Sequence, residues 1–361
     1  MIPRICIVGA GAIAREHAKA ALALPHPPLI AAADPSASAR DSFQEAFPQA
    51  SLFSTIEEMF APHPLRDEVA IVATPPWLHA SAATRSLLSG RHVLCEKPLV
   101  LSLQEAEELV ALAERQDRVI ACCSSRFSSR ALTDRVRETL SSGAIGDRWR
   151  VRWISRAAAS RPGIEYQPAS RWFLDRSRAG GGSLLDWGCY DVALWIALFR
   201  PASIKIDSAW FGYPRRGPSL PPGVVCDVEH QAVACLRIKL ADGREIPVQF
   251  ERSSASFGRV ADVFEIEGDL GALDWDWLDW QGHDLRLHRA SPDGAAVTET
   301  RSFIDDEPGF HARPLHALAA QLEGRPHAGL SGRRALQAFA VIDAIRQTAG
   351  DGVSREIHLS P

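Results

Sequence analysis

The chain has 361 residues, 46% of them hydrophobic and 23% charged, longer than a single core usually grows, so two domains are expected. A net charge of -4 and a pI near 6.3 give no overall electrostatic reason to bind nucleic acid or an anionic membrane, and no apolar run reaches membrane-spanning length. Seven cysteines show neither a disulfide framework nor zinc-ligand spacing, so they read as reduced structural thiols and no metal is expected.

The first residues, Met1-Ile2-Pro3-Arg4-Ile5-Cys6-Ile7-Val8, lead directly into a strand-like run without the charged region, apolar stretch and cleavage site of a signal peptide. A cytoplasmic protein is expected. From Arg4 to Cys123, apolar runs at Ile5 to Val8, Leu29 to Ala33, Val69 to Ala73, His92 to Cys95 and Val119 to Cys123 alternate with helix-length segments. That alternation predicts βαβ units and a parallel sheet, hence a dinucleotide-type domain over 1–123. Ser102 with Glu105 reads as a capping box for a helix whose Leu103, Ala106, Leu109, Val110 and Ala113 recur at helical spacing.

Past Cys123 the pattern changes. A helix over Leu132 to Leu140 precedes strand-like runs at Trp149 to Ile154, Val233 to Leu240, Glu245 to Phe250 and Val263 to Glu267, and Ala241-Asp242-Gly243 reads as a hairpin turn. Residues 124–361 are therefore expected to form an α+β domain on an open, mainly antiparallel sheet. Tyr213 to Gly223 reads as a loop, and Pro314 to Leu322 and Gly332 to Ala349 as closing helices. Eight arginines lie between Arg148 and Arg178 with only Asp147, Glu165 and Asp175 to balance them. A solvated strand and loop surface is the favoured reading, attraction of an anionic substrate the alternative.

The chemistry begins at Gly9-Ala10-Gly11-Ala12-Ile13-Ala14, between the opening strand and a helix. Gly9 permits a tight turn, Gly11 a close approach to a pyrophosphate, and Ala14 close helix packing, with Ala12 and Ile13 opening the helix whose N-terminus favours an anion. Asp34 ends the second strand, where a carboxylate accepts ribose hydroxyls and repels a 2′-phosphate. NAD is the expected cofactor, with NADP the alternative through Ser36 or Arg40. Thr74-Pro75-Pro76-Trp77-Leu78-His79 follows the Val69 to Val72 run at the same sheet edge, which places Thr74, Pro75, Trp77 and His79 as cofactor contacts; helix capping by Thr74 competes with that role. Glu96-Lys97-Pro98 follows the His92 to Cys95 run and puts Glu96 and Lys97 over the same crevice.

With these motifs, Arg126-Phe127, Ser142-Gly143-Ala144-Ile145-Gly146 and Gly180-Gly181-Gly182-Ser183-Leu184-Leu185-Asp186-Trp187-Gly188-Cys189-Tyr190, the chain resembles the Gfo/Idh/MocA oxidoreductase family over essentially its whole length. The resemblance implies a Rossmann domain, then an open-faced α+β domain, an active site between them, and subunits paired through the open sheet as a homodimer or homotetramer. It implies that Lys97, Asp186 and Tyr190 are catalytic. Most members carry histidine at the last position, so Tyr190 matches the tyrosine-bearing branch that includes glucose-fructose oxidoreductase and dimeric dihydrodiol dehydrogenases. Read from residues alone, Asp186 is a helix cap and Tyr190 a packing residue; four apart on a helix, they share a face.

Arg126 and Trp172 stand where the family lines its substrate cleft, against a surface salt bridge and an interdomain core residue as alternatives. Trp275, Trp277 and Trp280 read as core or subunit packing more than sugar stacking.

Taking hydride from a carbinol carbon requires loss of the hydroxyl proton to a base within hydrogen-bond reach, and the site that the resemblance implies makes Tyr190 the candidate. An unperturbed tyrosine titrates near about 10, so Lys97 would have to stabilise the phenolate, with Asp186 anchoring a further hydroxyl or orienting Lys97. The expected function is hydride transfer between NAD(P) and a hydroxyl or carbonyl of a sugar, polyol or related compound. The alternatives are a glycoside hydrolase or lyase using NAD transiently and a non-catalytic dinucleotide sensor.

Overall fold

The computed structural model describes residues 1–158, 168–213, 222–256, 258, 261–303 and 308–359. The chain opens with alternating elements: β1 (Arg4–Val8), α1 (Ala12–Leu22), β2 (Leu29–Ala33), α2 (Ala37–Ala46), β3 (Ser51–Phe53), α3 (Ile56–Phe60), β4 (Val69–Val72), α4 (His79–Leu88), β5 (His92–Cys95), α5 (Leu103–Arg115) and β6 (Ile120–Cys122). The strands are parallel in the order β6-β5-β4-β1-β2-β3. Their continuous apolar character follows from burial on both faces: Ile5, Ile7, Val69, Ile71 and Leu94 are fully buried. The small side chains Ala14, Ala18 and Ala21 let α1 pack close against them. Ser102 and Glu105 form the expected capping box at α5.

The second group begins with α6 (Ala131–Ser141) and β7 (Arg148–Arg156), then α7 (Arg176–Ala179) and α8 (Cys189–Phe199). The remaining strands are β8 (Ser203–Gly212), β9 (Gln231–Lys239), β10 (Glu245–Ser253), β11 (Ala261–Gly268), β12 (Ala272–Trp275), β13 (Asp284–Ala290) and β14 (Ala296–Ser302). After α9 (Arg313–Leu322), β15 (Leu330–Ser331) and α10 (Gly332–Asp351), β16 (Arg355–His358) ends the order. The second sheet runs β14-β13-β12-β11-β7-β10-β9-β8-β16. It is antiparallel except for β7 with β10.

One face of this sheet is apolar and the other wet, the alternation an antiparallel sheet allows. On the inner face, Trp153 packs with Trp195, Phe264, Trp275 and Trp277, so Trp275 and Trp277 are core residues, at 3% and 1% exposure. On the outer face Arg150 pairs with Glu267, Arg152 with Glu265 and Arg156 with Glu251. Three of the eight arginines of that stretch thus form a neutralised ladder across strands, and Arg161 lies outside the described residues. Arg178 pairs with Asp175, and Arg176 donates to the Asp227 carbonyl.

The chain forms two compact units, Met1–Ser129 with Glu307–Phe339, and Arg130–Asp306 with Ala340–Pro361. The sequence reading assigns everything after residue 123 to a second domain, but here the chain returns to the first. The reason is apolar: Leu315 and Leu318 of α9 join the core of the parallel sheet, and β15 adds antiparallel to β6. Most of Tyr213 to Gly223, the loop read from composition, lies outside the described residues.

Candidate active site

In the first unit, the ends of β1, β2, β4 and β5 carry the residues singled out by the motifs. Gly9 has φ +99°, and a Cβ there would lie 2.9 Å from the Ala73 carbonyl oxygen. Only glycine lets the β1 and β4 ends approach so closely. Gly11 precedes α1 without a side-chain cap, and a Cβ there meets nothing within 4 Å. Gly11 and Ala12 are exposed and Ile13 half-buried. The N-terminal amides of α1 therefore remain for an anion approaching from open space.

Asp34 is fixed beside this loop. Its carboxylate accepts the Ala10 N–H at 2.9 Å and the Ser36 N–H at 2.8 Å, leaving acceptor capacity for a diol. Arg40 donates to the Asp34 carbonyl at 2.6 Å and Ser36 caps α2. The Thr74 hydroxyl is buried without a hydrogen-bond partner among the described residues. Pro75 is half-buried and Trp77 37% exposed. An unfilled hydroxyl, an uncapped helix and a carboxylate at adjacent strand ends fit NAD.

Replacing Asp34→Ala should remove the ribose acceptor and weaken NAD by about 10- to 100-fold. NADP should suffer less, so the ratio of the NAD Kd to the NADP Kd, measured by titration, should rise. An unchanged ratio would remove Asp34 from the ribose site.

His79 and Glu96 lie beneath these loops rather than on their surface. The fully buried His79 ring places Nδ1 2.8 Å from the Pro98 carbonyl and Nε2 2.8 Å from the Thr74 carbonyl. It ties the Thr74 loop to the Lys97-Pro98 bend, whose peptide bond is cis. Burial pulls its pKa down against the pull of the two carbonyls.

Glu96 Oε1 meets His17 Nε2 at 2.7 Å and the Arg126 guanidinium, and Oε2 accepts the Lys97 N–H at 3.1 Å. Burial alone would raise the Glu96 pKa, but Arg126 and His17 hold it well below the usual carboxylate range. Burial and the nearby Arg126 push His311 down to about 4. Arg126, expected at the substrate, is 4% exposed and committed to Glu96, while Arg313 donates to its carbonyl at 3.2 Å. Lys97 itself is half-buried. The donor atoms of His17, Glu96 and Cys123 lie within 4.8 Å of one another, but Arg126 already supplies positive charge to that carboxylate.

In the second unit, Asp186 lies in a π-helical turn, Leu184–Gly188, that runs into α8. Such turns are rare and frequent at functional sites. Asp186 and Tyr190 are 8% and 5% exposed. Asp186 lines a recess with Phe173, Ser183, Trp187, Glu229, His230 and Ser254, among others. Ser183 donates to the His230 carbonyl at 2.9 Å and lies 3.1 Å from the Ser254 hydroxyl. The recess thus combines the Phe173 and Trp187 rings with the polar groups of Ser183, Asp186, Glu229, His230 and Ser254. Trp172 stacks on Phe173 at 3.9 Å, one ring removed from the recess.

Glu229 had no signal in the sequence. Its carboxylate accepts the Leu184 N–H at 3.1 Å, and a Cβ on Gly182 would fall 1.9 Å from its carbonyl oxygen. The irregular segment before β9 thus clamps the glycine turn that leads to Asp186. Burial raises the Glu229 pKa, opposed by the Gly182 and Leu184 amides.

A parallel sheet with an anion-ready glycine loop and a strand-end aspartate defines a dinucleotide-binding protein. Residues 3–123 match the model described as oxidoreductase family, NAD-binding Rossmann fold, and residues 133–274 match the Gfo/Idh/MocA C-terminal domain. The chain belongs to the Gfo/Idh/MocA oxidoreductase family.

It is 27% identical to D-glucoside 3-dehydrogenase of Escherichia coli over 212 residues, covering 58% of this chain and 57% of that protein. It is 32% identical to trans-1,2-dihydrobenzene-1,2-diol dehydrogenase of Mus musculus over 196 residues, 54% of this chain and 55% of that one. The chain spans about half the length of such curated relatives. An aldose-aldose oxidoreductase from Caulobacter crescentus, complexed with glycerol, shares the fold with a TM-score of 0.77 and 21% identity, over 99% of this chain and 100% of that one. No helix among the described residues is long and apolar enough to cross a membrane.

Proposed function

We propose that the chain is an NAD-dependent dehydrogenase or reductase acting on a hydroxyl or carbonyl carbon of a sugar or polyol. The observation that carries this reading is Lys97, which follows β5 at the same sheet edge as the Gly9 loop and Asp34. In open parallel sheets that edge is the ligand side. The sugar-oxidoreductase relatives support the substrate class.

NAD when bound supplies the hydride acceptor. The α1 N-terminus and Gly11 would hold its phosphates, Asp34 its ribose, and Thr74 a further polar group. Tyr190 would take the hydroxyl proton as hydride leaves the carbon and return it in reduction. Lys97 would stabilise the oxygen that becomes negative, and Asp186 would anchor another hydroxyl. The paired arginines of β7 favour a neutral sugar over an anionic one. A homo-oligomer built through the outer face of the nine-stranded sheet belongs to the same proposal.

The test is net cofactor reduction. Incubation with NAD and a panel of neutral sugars, glycosides and polyols should accumulate NADH in proportion to oxidised product. Conversion with no net NADH would replace this reading by transient oxidation, as in a hydrolase or lyase. Tight NAD binding without turnover of any compound would indicate a sensor.

A further inference from the structure

We propose that Glu229 is a positioning residue for the reaction, capping from a distant segment the helical run that carries Asp186 and Tyr190. This rests on the redox reading above and adds to it a residue that acts through others. The run extends from the π-helical turn at Leu184 through α8 to Phe199, and its first amides need acceptors. Ser183, a residue type that often supplies one, has helical dihedrals and makes no side-chain cap. Its hydroxyl goes to the His230 carbonyl instead, at 2.9 Å. Glu229 takes its place. The Glu229 carbonyl accepts the Ser183 N–H at 3.1 Å, its carboxylate accepts the Leu184 N–H at 3.1 Å, and the Gly182 amide also donates to that carboxylate.

The glycine pair makes room for this cap. A Cβ on Gly182 would fall 1.9 Å from the Glu229 carbonyl oxygen, and one on Gly181 would fall 3.3 Å from Oε2 of its carboxylate. Just past Tyr190 the run is fixed again, where the buried Asp191 carboxylate accepts the Trp153 indole N–H at 2.7 Å and the Arg252 Nε–H at 2.8 Å. Asp186 and Tyr190 thus stand between two anchors. The anchors differ in kind: Asp191 is neutralised by Arg252, whereas the Glu229 carboxylate, in a residue 3% exposed, is met by amides.

Burial pushes the Glu229 pKa up, opposed by the Gly182 and Leu184 amides and by the charge of Arg176 on α7. Other charged or titratable groups near it are Asp186 and His230, which line the same recess, and Asp227, which accepts the Arg176 N–H at 2.7 Å. Arg252 of β10 is held by Asp191. A carboxylate whose folded pKa stands above its unfolded one lowers stability at neutral pH, a penalty that vanishes below the unfolded value of about 4.3. A charge that lowers stability yet caps the run with the reacting side chains is explained by the geometry it imposes on them.

The test compares wild type, Glu229→Gln and Glu229→Ala by urea midpoint at neutral pH and by NADH formation from NAD with methyl β-D-glucopyranoside or D-sorbitol across pH. Glu229→Gln keeps one acceptor oxygen and discards the charge. Its urea midpoint should equal or exceed that of the wild type. Its kcat should fall about 10- to 100-fold, the scale of a misplaced reacting group, with the KM for NAD held within about twofold. Glu229→Ala, which keeps neither acceptor, should lose more. The wild-type rate should also fall as acid protonates Glu229, a limb absent from Glu229→Gln. An unchanged kcat in Glu229→Gln would overturn the proposal, and so would a lower urea midpoint, which would make the residue a structural cap alone. No turnover of either compound by the wild type would count against the redox reading, and Tyr190 then decides. Its ionisation is separated from that of the other tyrosines by near-ultraviolet difference absorbance between proteins with and without Tyr190→Phe. Glu229→Gln should move that midpoint by about half a pH unit or more; an unmoved midpoint would sink the proposal in that case.

Discussion

Lys97→Met and Tyr190→Phe should each lower kcat by about 10²- to 10⁴-fold, the range contributed by a positioned proton-transfer group. NAD binding should remain, because the glycine loop and Asp34 that fit it are untouched. Tyr190→Phe deletes one hydroxyl from a buried ring and keeps the edge-on contact to Trp187, so lost turnover would not reflect lost packing. The pH profile separates the roles. If Tyr190 is the base, oxidation rises with pH as the phenol ionises, and that ascending limb disappears in Tyr190→Phe. Steady-state rates with a calorimetric NAD titration check both points, and full activity in both variants would remove the assignment.

Glu96→Ala should destabilise the first unit by about 3–5 kcal/mol, the usual cost of stripping one partner from a buried ion pair. Arg126 would be left charged at 4% exposure, and His17 and the Lys97 N–H would lose their acceptor. A lower urea midpoint at unchanged slope is the expected signature. The pH dependence has a fixed sign. Although burial opposes ionisation, Arg126 and His17 leave the folded pKa of Glu96 depressed. Its stabilisation is then fully present above the unfolded glutamate pKa of about 4.3 and is lost as pH falls toward the folded value. The stability gap between wild type and Glu96→Gln should stay flat from neutrality to mild acid and close only in stronger acid. A gap that closes near neutrality would show that Arg126 does not govern this carboxylate.

The parallel sheet was readable because strands buried on both faces, such as β4 and β5, leave continuous apolar runs. β14 left no such trace: every residue of Ala296–Ser302 is exposed, and it is a strand through its pairing with β13. Gly9, Gly11 and Asp34 were legible because a phosphate turn and a strand-end acid are local in sequence. The contacts beneath them are not. His17, Glu96, Arg126 and His311 converge from four separate segments, and no spacing rule connects them. No sign in the sequence therefore pointed to Glu96 pairing with His17 and Arg126, or to His79 tying the Thr74 loop to the Lys97-Pro98 bend. Glu229 escaped for the same reason, since the glycine turn it clamps lies far from it in sequence. The aromatic run divided as favoured for Trp275 and Trp277, whereas Trp280 depends on where a turn leaves its ring.

The return of the chain to its first unit bears on the order in which the molecule can be finished during synthesis. Domains commonly fold as units as they emerge, but the parallel sheet waits for Leu315 and Leu318 to cover its core and for β15 to pair with β6. Until then β6 is an open edge, able to recruit a strand from another chain. The nascent protein must carry this incomplete sheet while most of the second unit is made, so slow translation between residues 130 and 306 lengthens exposure to misassembly at an edge that the mature fold conceals.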